Sequence, residues 1–264
     1  MSKWAALALA VVLPAAGLRV GVRALSRTVL FPIKELASAA PPPDFVAHRL
    51  VARDGVAVYA IELPGPAGAR TVVHFHNNRE TVESVADFAR AIRARGLGVL
   101  LVEYRGYGAS RGGEPSEEGL YLDAEAALEM LSVRGLGPDR VVLSGNSLGT
   151  GVASEMARRG RGSRLVLVAP YTSIPDLVTE RVPWVPARFL LADGFDTLAK
   201  APDIHVPTLV IHGDEDEVVP FAMGRRLARS IAGARFIPVA GGRHGDLFAR
   251  DGRHLLDAIV TLGT

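Results

Sequence analysis

From Val46 onward the chain alternates short apolar runs with stretches whose apolar positions recur every three or four residues. Runs of the first kind predict strands and stretches of the second kind helices. "VAHRLVA" and "VAVYAIEL" flank the turn "RDG" and predict an antiparallel hairpin. "ARTVVHFH" predicts a strand, and "TVESVADFARAIRARG" a helix closed by Gly96. "LGVLLVEY" is apolar throughout, as a strand covered on both faces must be. "SEEGLYLDAEAALEMLSVRG" predicts a helix with an acidic first turn, which suits the positive end of the helix dipole. "DRVVLS", "SRLVLVAP", "VPTLVIHG" and "ARFIPVA" predict strands; helices are expected from Leu148 to Arg159, Pro220 to Ile231 and Asp246 to Leu262. Strands separated by helices of this length form βαβ units with right-handed crossovers. The expected fold class is therefore α/β, a mostly parallel twisted sheet with helices on both faces and an antiparallel N-terminal edge hairpin.

The first residues differ in character. An apolar run from Trp4 to Leu18 lies between Lys3 and Arg19, Arg23 and Arg27. It is short for a span of about 20 residues. Residues 1–32 are read as a hydrophobic anchor held in a membrane by its N-terminus; the alternatives are a cleaved signal, giving a secreted or periplasmic protein, and an amphipathic helix. "ELASAAPPPDF" cannot be helix interior at Pro41 to Pro43, so residues 33–44 are expected to be a Pro/Ala-rich linker and 45–264 the folded domain. The 264 residues include no Cys, which excludes disulfides, thiolate catalysis and Cys-type zinc sites. Only three of the 30 basic residues are Lys, the formal net charge is +2, and no basic stripe is interleaved with aromatics, so no nucleic-acid partner is expected.

Candidate chemistry gathers where strands end, as it should in a parallel sheet. "VVLSGNSLGTGVASEMA" places Gly145-Asn146-Ser147-Leu148-Gly149 between a strand and a helix. With 28 glycines in the chain the pentapeptide alone is a weak signal. Its context is stronger, because a nucleophile on a sharp strand-to-helix turn needs small neighbours. A hydroxyl also needs a base. Of seven histidines, His244 in the Gly-rich loop "VAGGRHGDLF" after the last strand is best placed. His212 and His76 end strands, His48 and His254 lie in an edge strand and a terminal helix, and His205 lies at the wrong end of the sheet. An orienting carboxylate is offered by Asp214, Glu215, Asp216 or Glu217, in a loop between Ser147 and His244 in chain order. Oxyanion donors are expected at the Leu148 N–H and in the loop "HFHNNRE", where Asn78 could otherwise close an Asx-turn. A rival reading puts His74 and His76 on one strand face as ligands of a hydrolytic metal, with Asp214 or Asp216. No Walker-type phosphate loop is present.

The stretches "EYRGYGASRGGEPSEEGLYLDAEAAL", "VVLSGNSLGTGVA", "APYTSIPDLV", "VPTLVIHGDEDEVVPF" and "AGGRHGDL" together resemble the α/β-hydrolase superfamily over about residues 45 to 264. Within it the chain is most similar to membrane-anchored serine hydrolases of serine-aminopeptidase-like, monoglyceride-lipase-like or depalmitoylating thioesterase-like type; "VLFP" ahead of the domain is similar to that subgroup too. The resemblance implies Ser147 as nucleophile, Asp216 as acid and His244 as base. It implies Leu148 and Asn78 as oxyanion donors, with Asn77 where the family has Gly, and a short cap at about 171–203. Asn77, Tyr107, Tyr171, Trp184 and Phe189 are candidate pocket residues, with packing on the core the competing role for the aromatics. The implied function is hydrolysis of an ester or thioester, with an amide as a further option, in a small-molecule or lipid-like acyl substrate. No metal or organic cofactor is implied, and the sequence is silent on oligomeric state. A non-catalytic membrane-associated binding module is the alternative from a different class.

Overall fold

The apolar runs between Val46 and Val239 pair into one eight-stranded sheet of order β1-β2-β4-β3-β5-β6-β7-β8. The computed structural model describes residues 27–32 and 40–264. Its strands are β1 Val46–Val51, β2 Ala57–Leu63, β3 Thr71–Phe75, β4 Gly98–Val102, β5 Val141–Asn146, β6 Arg164–Val168, β7 Thr208–Gly213 and β8 Arg235–Val239. β1 and β2 pair antiparallel, as do β2 and β4; every later pair is parallel. Strand order reverses between β3 and β5, where β3→β4 and β4→β5 cross in opposite directions. A cleft opens at the carboxyl ends of strands on either side of such a point.

The α-helices between and after the strands are α1 Ala86–Arg93, α2 Glu117–Val133, α3 Leu148–Arg158, α4 Ile174–Arg181, α5 Ala187–Leu190, α6 Thr197–Lys200, α7 Phe221–Ser230 and α8 Leu247–Gly263. Alternation along the strands builds two cores. Val73, Leu100, Leu143, Leu167 and Val210 pack with Leu120 of α2, Val152 of α3 and Leu227 of α7. Val72, Leu101, Val142, Val166 and Ile211 pack with Ile92 of α1 and Ile259 of α8. The helix expected from Thr81 begins at Ala86 instead. Side chains take the backbone donors ahead of it: Ser84 Oγ accepts Thr81 N–H at 3.0 Å, and Glu103 Oε2 accepts Val82 N–H at 3.2 Å. Such bonds compete with the helical ladder.

The expectation of a membrane-anchored protein is corrected. Among the described residues no helix is long and apolar enough to cross a membrane. The longest, α2 and α8, have 17 residues each and carry charges along their length, against about 20 apolar residues for a span. The apolar run Trp4 to Leu18 and most of the expected linker lie outside the described residues.

Candidate active site

Ser147 sits between β5 and α3 with φ 50° and ψ −113°. That is a left-handed conformation a non-glycine residue rarely holds, and it persists only where the surroundings enforce it. Three contacts do so. Ser147 N–H donates to Val168 O of β6 at 2.9 Å. Thr150 N–H and Thr150 Oγ1 both donate back to Ser147 O, at 2.9 and 2.6 Å. The flanking glycines are required by close approach: a Cβ on Gly149 would stand 2.6 Å from the Phe75 carbonyl carbon, and one on Gly145 2.5 Å from the Gly149 carbonyl carbon. The turn thus pushes the start of α3 against the end of β3, and Ser147 Oγ outward at the switch point.

Two further loops reach that oxygen. His244 Nε2 lies 2.9 Å from Ser147 Oγ, and His244 Nδ1 lies 2.8 Å from Asp216 Oδ2. The loops of Asp216 and His244 are joined backbone to backbone: Glu215 N–H donates to Gly242 O at 3.1 Å, Asp214 N–H to Val239 O at 3.2 Å, and Gly241 N–H to Asp214 Oδ1 at 2.7 Å. Asp214 therefore ties the loops together, and Asp216, not its acidic neighbours, faces the imidazole. The Asp216 side chain is fully buried. Burial pushes its pKa up, but hydrogen bonds from His212 and His244 and from the N–H of Val219 outweigh it and hold the carboxyl well below the usual range. The ionised carboxylate can only accept, so His244 carries its proton on Nδ1 and presents a lone pair at Nε2. His212 has a part that the sequence did not reveal. Its Nε2 stands 3.0 Å from Val219 O and 3.3 Å from Asp216 Oδ2, two acceptors for one N–H. It braces the acid from behind.

The Leu148 N–H is the first of α3, and first-turn donors have no acceptor within their own helix. The loop facing it differs from expectation. Asn77 does not take the positive φ that a glycine would supply; Ser147, Ala169 and Phe195 are the non-glycine residues that do so among the described residues. Asn77, rather than Asn78, closes the Asx-turn, its Oδ1 accepting Arg79 N–H at 2.7 Å. Asn77 N–H donates to Glu80 Oε2 at 3.0 Å, and Asn146 Nδ2 reaches the same oxygen at 3.4 Å. Glu80, unmarked in the sequence, so links this loop to the residue preceding Ser147. Asn78 turns its side-chain amide to Leu30 O at 3.0 Å, and its carbonyl accepts from Tyr107 Oη at 3.4 Å.

The remaining candidates separate by burial. Tyr171 is buried and donates its hydroxyl to Leu148 O at 3.2 Å, supporting the elbow. Tyr107 is buried beside His76. Trp184 and Phe189 are exposed, at 81% and 72%. His74 and His76 do not share a site. His74 Nδ1 contacts Ser144 Oγ at 3.0 Å beneath Phe88, and burial lowers its pKa to about 3. His76 lies beyond the end of β3 against Tyr104, with Nε2 2.8 Å from Glu103 Oε1. Burial opposes protonation of His76, but Glu103 raises its pKa on balance. Among the described residues no group of three or more His, Asp or Glu is placed to hold a metal ion.

Comparison with known proteins agrees with this fold. The family described as serine aminopeptidase S33 matches residues 66–192, a span that includes Ser147 and stops short of Asp216 and His244. An uncharacterised protein of Mycobacterium tuberculosis is 41% identical over 176 residues, 66% of this chain and 62% of the relative. Alpha/beta hydrolase domain-containing protein 17B of Homo sapiens is 32% identical over 169 residues, 61% of this chain and 55% of the relative. The chain thus spans less than two thirds of the length of either. A solved esterase of Pyrococcus furiosus superposes with a TM-score of 0.73 at 15% identity, covering 87% of this chain and 96% of that one. With its mostly parallel sheet, its reversed strand order and these similarities, the chain has the α/β-hydrolase fold.

Proposed function

We propose that the protein is a serine hydrolase that cleaves an ester or thioester bond in a small acyl substrate through an acyl-enzyme. The observation that carries this is the continuous relay from Ser147 Oγ through His244 to Asp216, with spacings of 2.9 and 2.8 Å. Ser147 Oγ attacks the carbonyl carbon while its proton passes to His244 Nε2. The imidazolium is stabilised by Asp216, then gives that proton to the leaving group as the carbon–heteroatom bond breaks. Water, deprotonated by His244, attacks the acyl-enzyme and releases the acid and free Ser147. The N–H groups of Leu148 and Asn78 are assigned to the developing oxyanion, each such donor contributing roughly 10²- to 10³-fold.

The test uses the full chain, with a fluorophosphonate probe and a short-chain aryl ester, beside Ser147→Ala and a sample treated with EDTA. Wild type labels and hydrolyses, EDTA changes neither, and Ser147→Ala does neither. Wild type that fails in both assays overturns the proposal and favours a binding module. Hydrolysis that survives Ser147→Ala but is lost in EDTA points to a metal centre instead.

A further inference from the structure

Residues 27–32 touch the site from outside the sheet. Residues 27–30 form a helical turn, and it ends against the loop after β3, where Asn78 donates to Leu30 O at 3.0 Å. Arg27 Nε donates to Asp193 Oδ2 at 2.9 Å, and the Asp193 side chain is only 6% exposed. The other oxygen of Asp193 accepts Glu117 N–H at the start of α2, at 2.8 Å. Glu117 Oε2 in turn accepts the N–H groups of Gly194 and Phe195, each at 2.8 Å. Phe31 is buried and stands edge-on to Phe195, with ring centroids 6.5 Å apart. Phe195 reaches the nucleophile helix: a Cβ on Gly151 would lie 2.7 Å from its Cδ1.

A segment merely passing over this face has no use for a buried aromatic, a pair with a buried carboxylate and an amide bond within five consecutive residues. A buried carboxylate is costly unless paired, so Asp193 makes Arg27 a specific anchor. The far end of the anchored segment meets Asn78, whose N–H is assigned above to the oxyanion. The loop is held on its other sides by Tyr107 on the Asn78 carbonyl and Glu80 on the Asn77 N–H. A donor is effective only within a fraction of an ångström of its productive position.

We infer that Arg27 to Phe31 form a strap that fixes the position of the Asn78 peptide, making Arg27, Phe31 and the Asn78 side chain positioning residues. The inference rests on the serine-hydrolase reading for its catalytic consequence. The test compares full-chain Arg27→Gln, Arg27→Lys and Asn78→Ala with wild type. Fluorophosphonate labelling slows roughly tenfold in Arg27→Gln and Asn78→Ala and stays near wild type in Arg27→Lys, which keeps the charge pair. KM for the aryl ester is unchanged, and amide exchange at residues 77–80 accelerates while that of β3 and β5 does not. Wild-type labelling rates in Arg27→Gln and Asn78→Ala overturn the inference. If the wild type itself does not label, the hydrolase proposal falls separately. Exchange at 77–80 then decides the strap: faster exchange in the variants supports it, and unchanged exchange overturns it.

Discussion

Asp216 is a buried charge held by several donors, and its chemistry follows from what each donor does. Replacing it with Asn leaves the shape but allows the wrong His244 tautomer, so Asp216→Asn is expected to lower kcat on the aryl ester about 10⁴-fold with little change in KM. Its carboxyl pKa is depressed. The stability it contributes is therefore fully present above the unfolded carboxylate value of about 3.9, and is lost only as pH falls through the lower folded value. A pH–rate profile in the neutral range thus does not report this carboxylate. The His76–Glu103 pair has the opposite sign. The folded pKa of His76 is raised, so its contribution is complete below the unfolded value of about 6.5 and fades as pH rises through the folded value. His76→Gln removes the cationic partner of a buried carboxylate that otherwise accepts only the Val82 N–H among the described residues, and is expected to cost about 3 kcal/mol near neutral pH, with a flatter dependence of Tm on pH above it, measurable by calorimetry. At this scale Ser147, His244 and an acidic loop between them are legible in the sequence, because each stands just past a strand and their chain order suits a parallel sheet; Asp216 is singled out from its acidic neighbours by the family resemblance alone. The roles of His212, Glu80 and Asn77 are not. They depend on which of several oxygens a donor reaches, and nothing in residue type decides that.

At the level of elements, the strand order and helices α1, α2, α3, α7 and α8 are legible, because period and turn residues agree, whereas α4, α5 and α6 fall in a stretch expected only as a short cap. The start of α1 is displaced: Glu103, just past the end of β4, captures a donor the helix would have used. The junction of β5 and α3 is closely packed, backbone against backbone. Gly149→Ala would force the helix off the carbonyl end of β3, and overpacking against backbone cannot be relieved by a rotamer change. A loss of about 3 kcal/mol in urea unfolding is expected, with labelling of Ser147 reduced in the fraction that folds. The contact of residues 27–32 with the β3 loop is illegible for a simple reason. Leu30 and Asn78 are 48 positions apart, and a carbonyl has no sequence signature.

The whole molecule works from one rim. The loops after β3, β5, β7 and β8 carry Asn78, Ser147, Asp216 and His244 to the carboxyl ends of their strands, and the strand order reverses between the first two of those strands. The turns at 134–135, between α2 and β5, and at 159–160, between α3 and β6, lie at the amino-terminal edge of the sheet and are exposed. They stand at the edge opposite the candidate site. A short Gly-Ser insertion in either turn is expected to leave the fluorophosphonate labelling rate within about twofold, since exposed loops tolerate added length at small entropic cost. The same insertion at 77–80 or 241–244 is expected to abolish labelling. A fluorophore, a surface tether or a fused reporter can therefore be carried on that distal rim, leaving the face around Ser147 unobstructed.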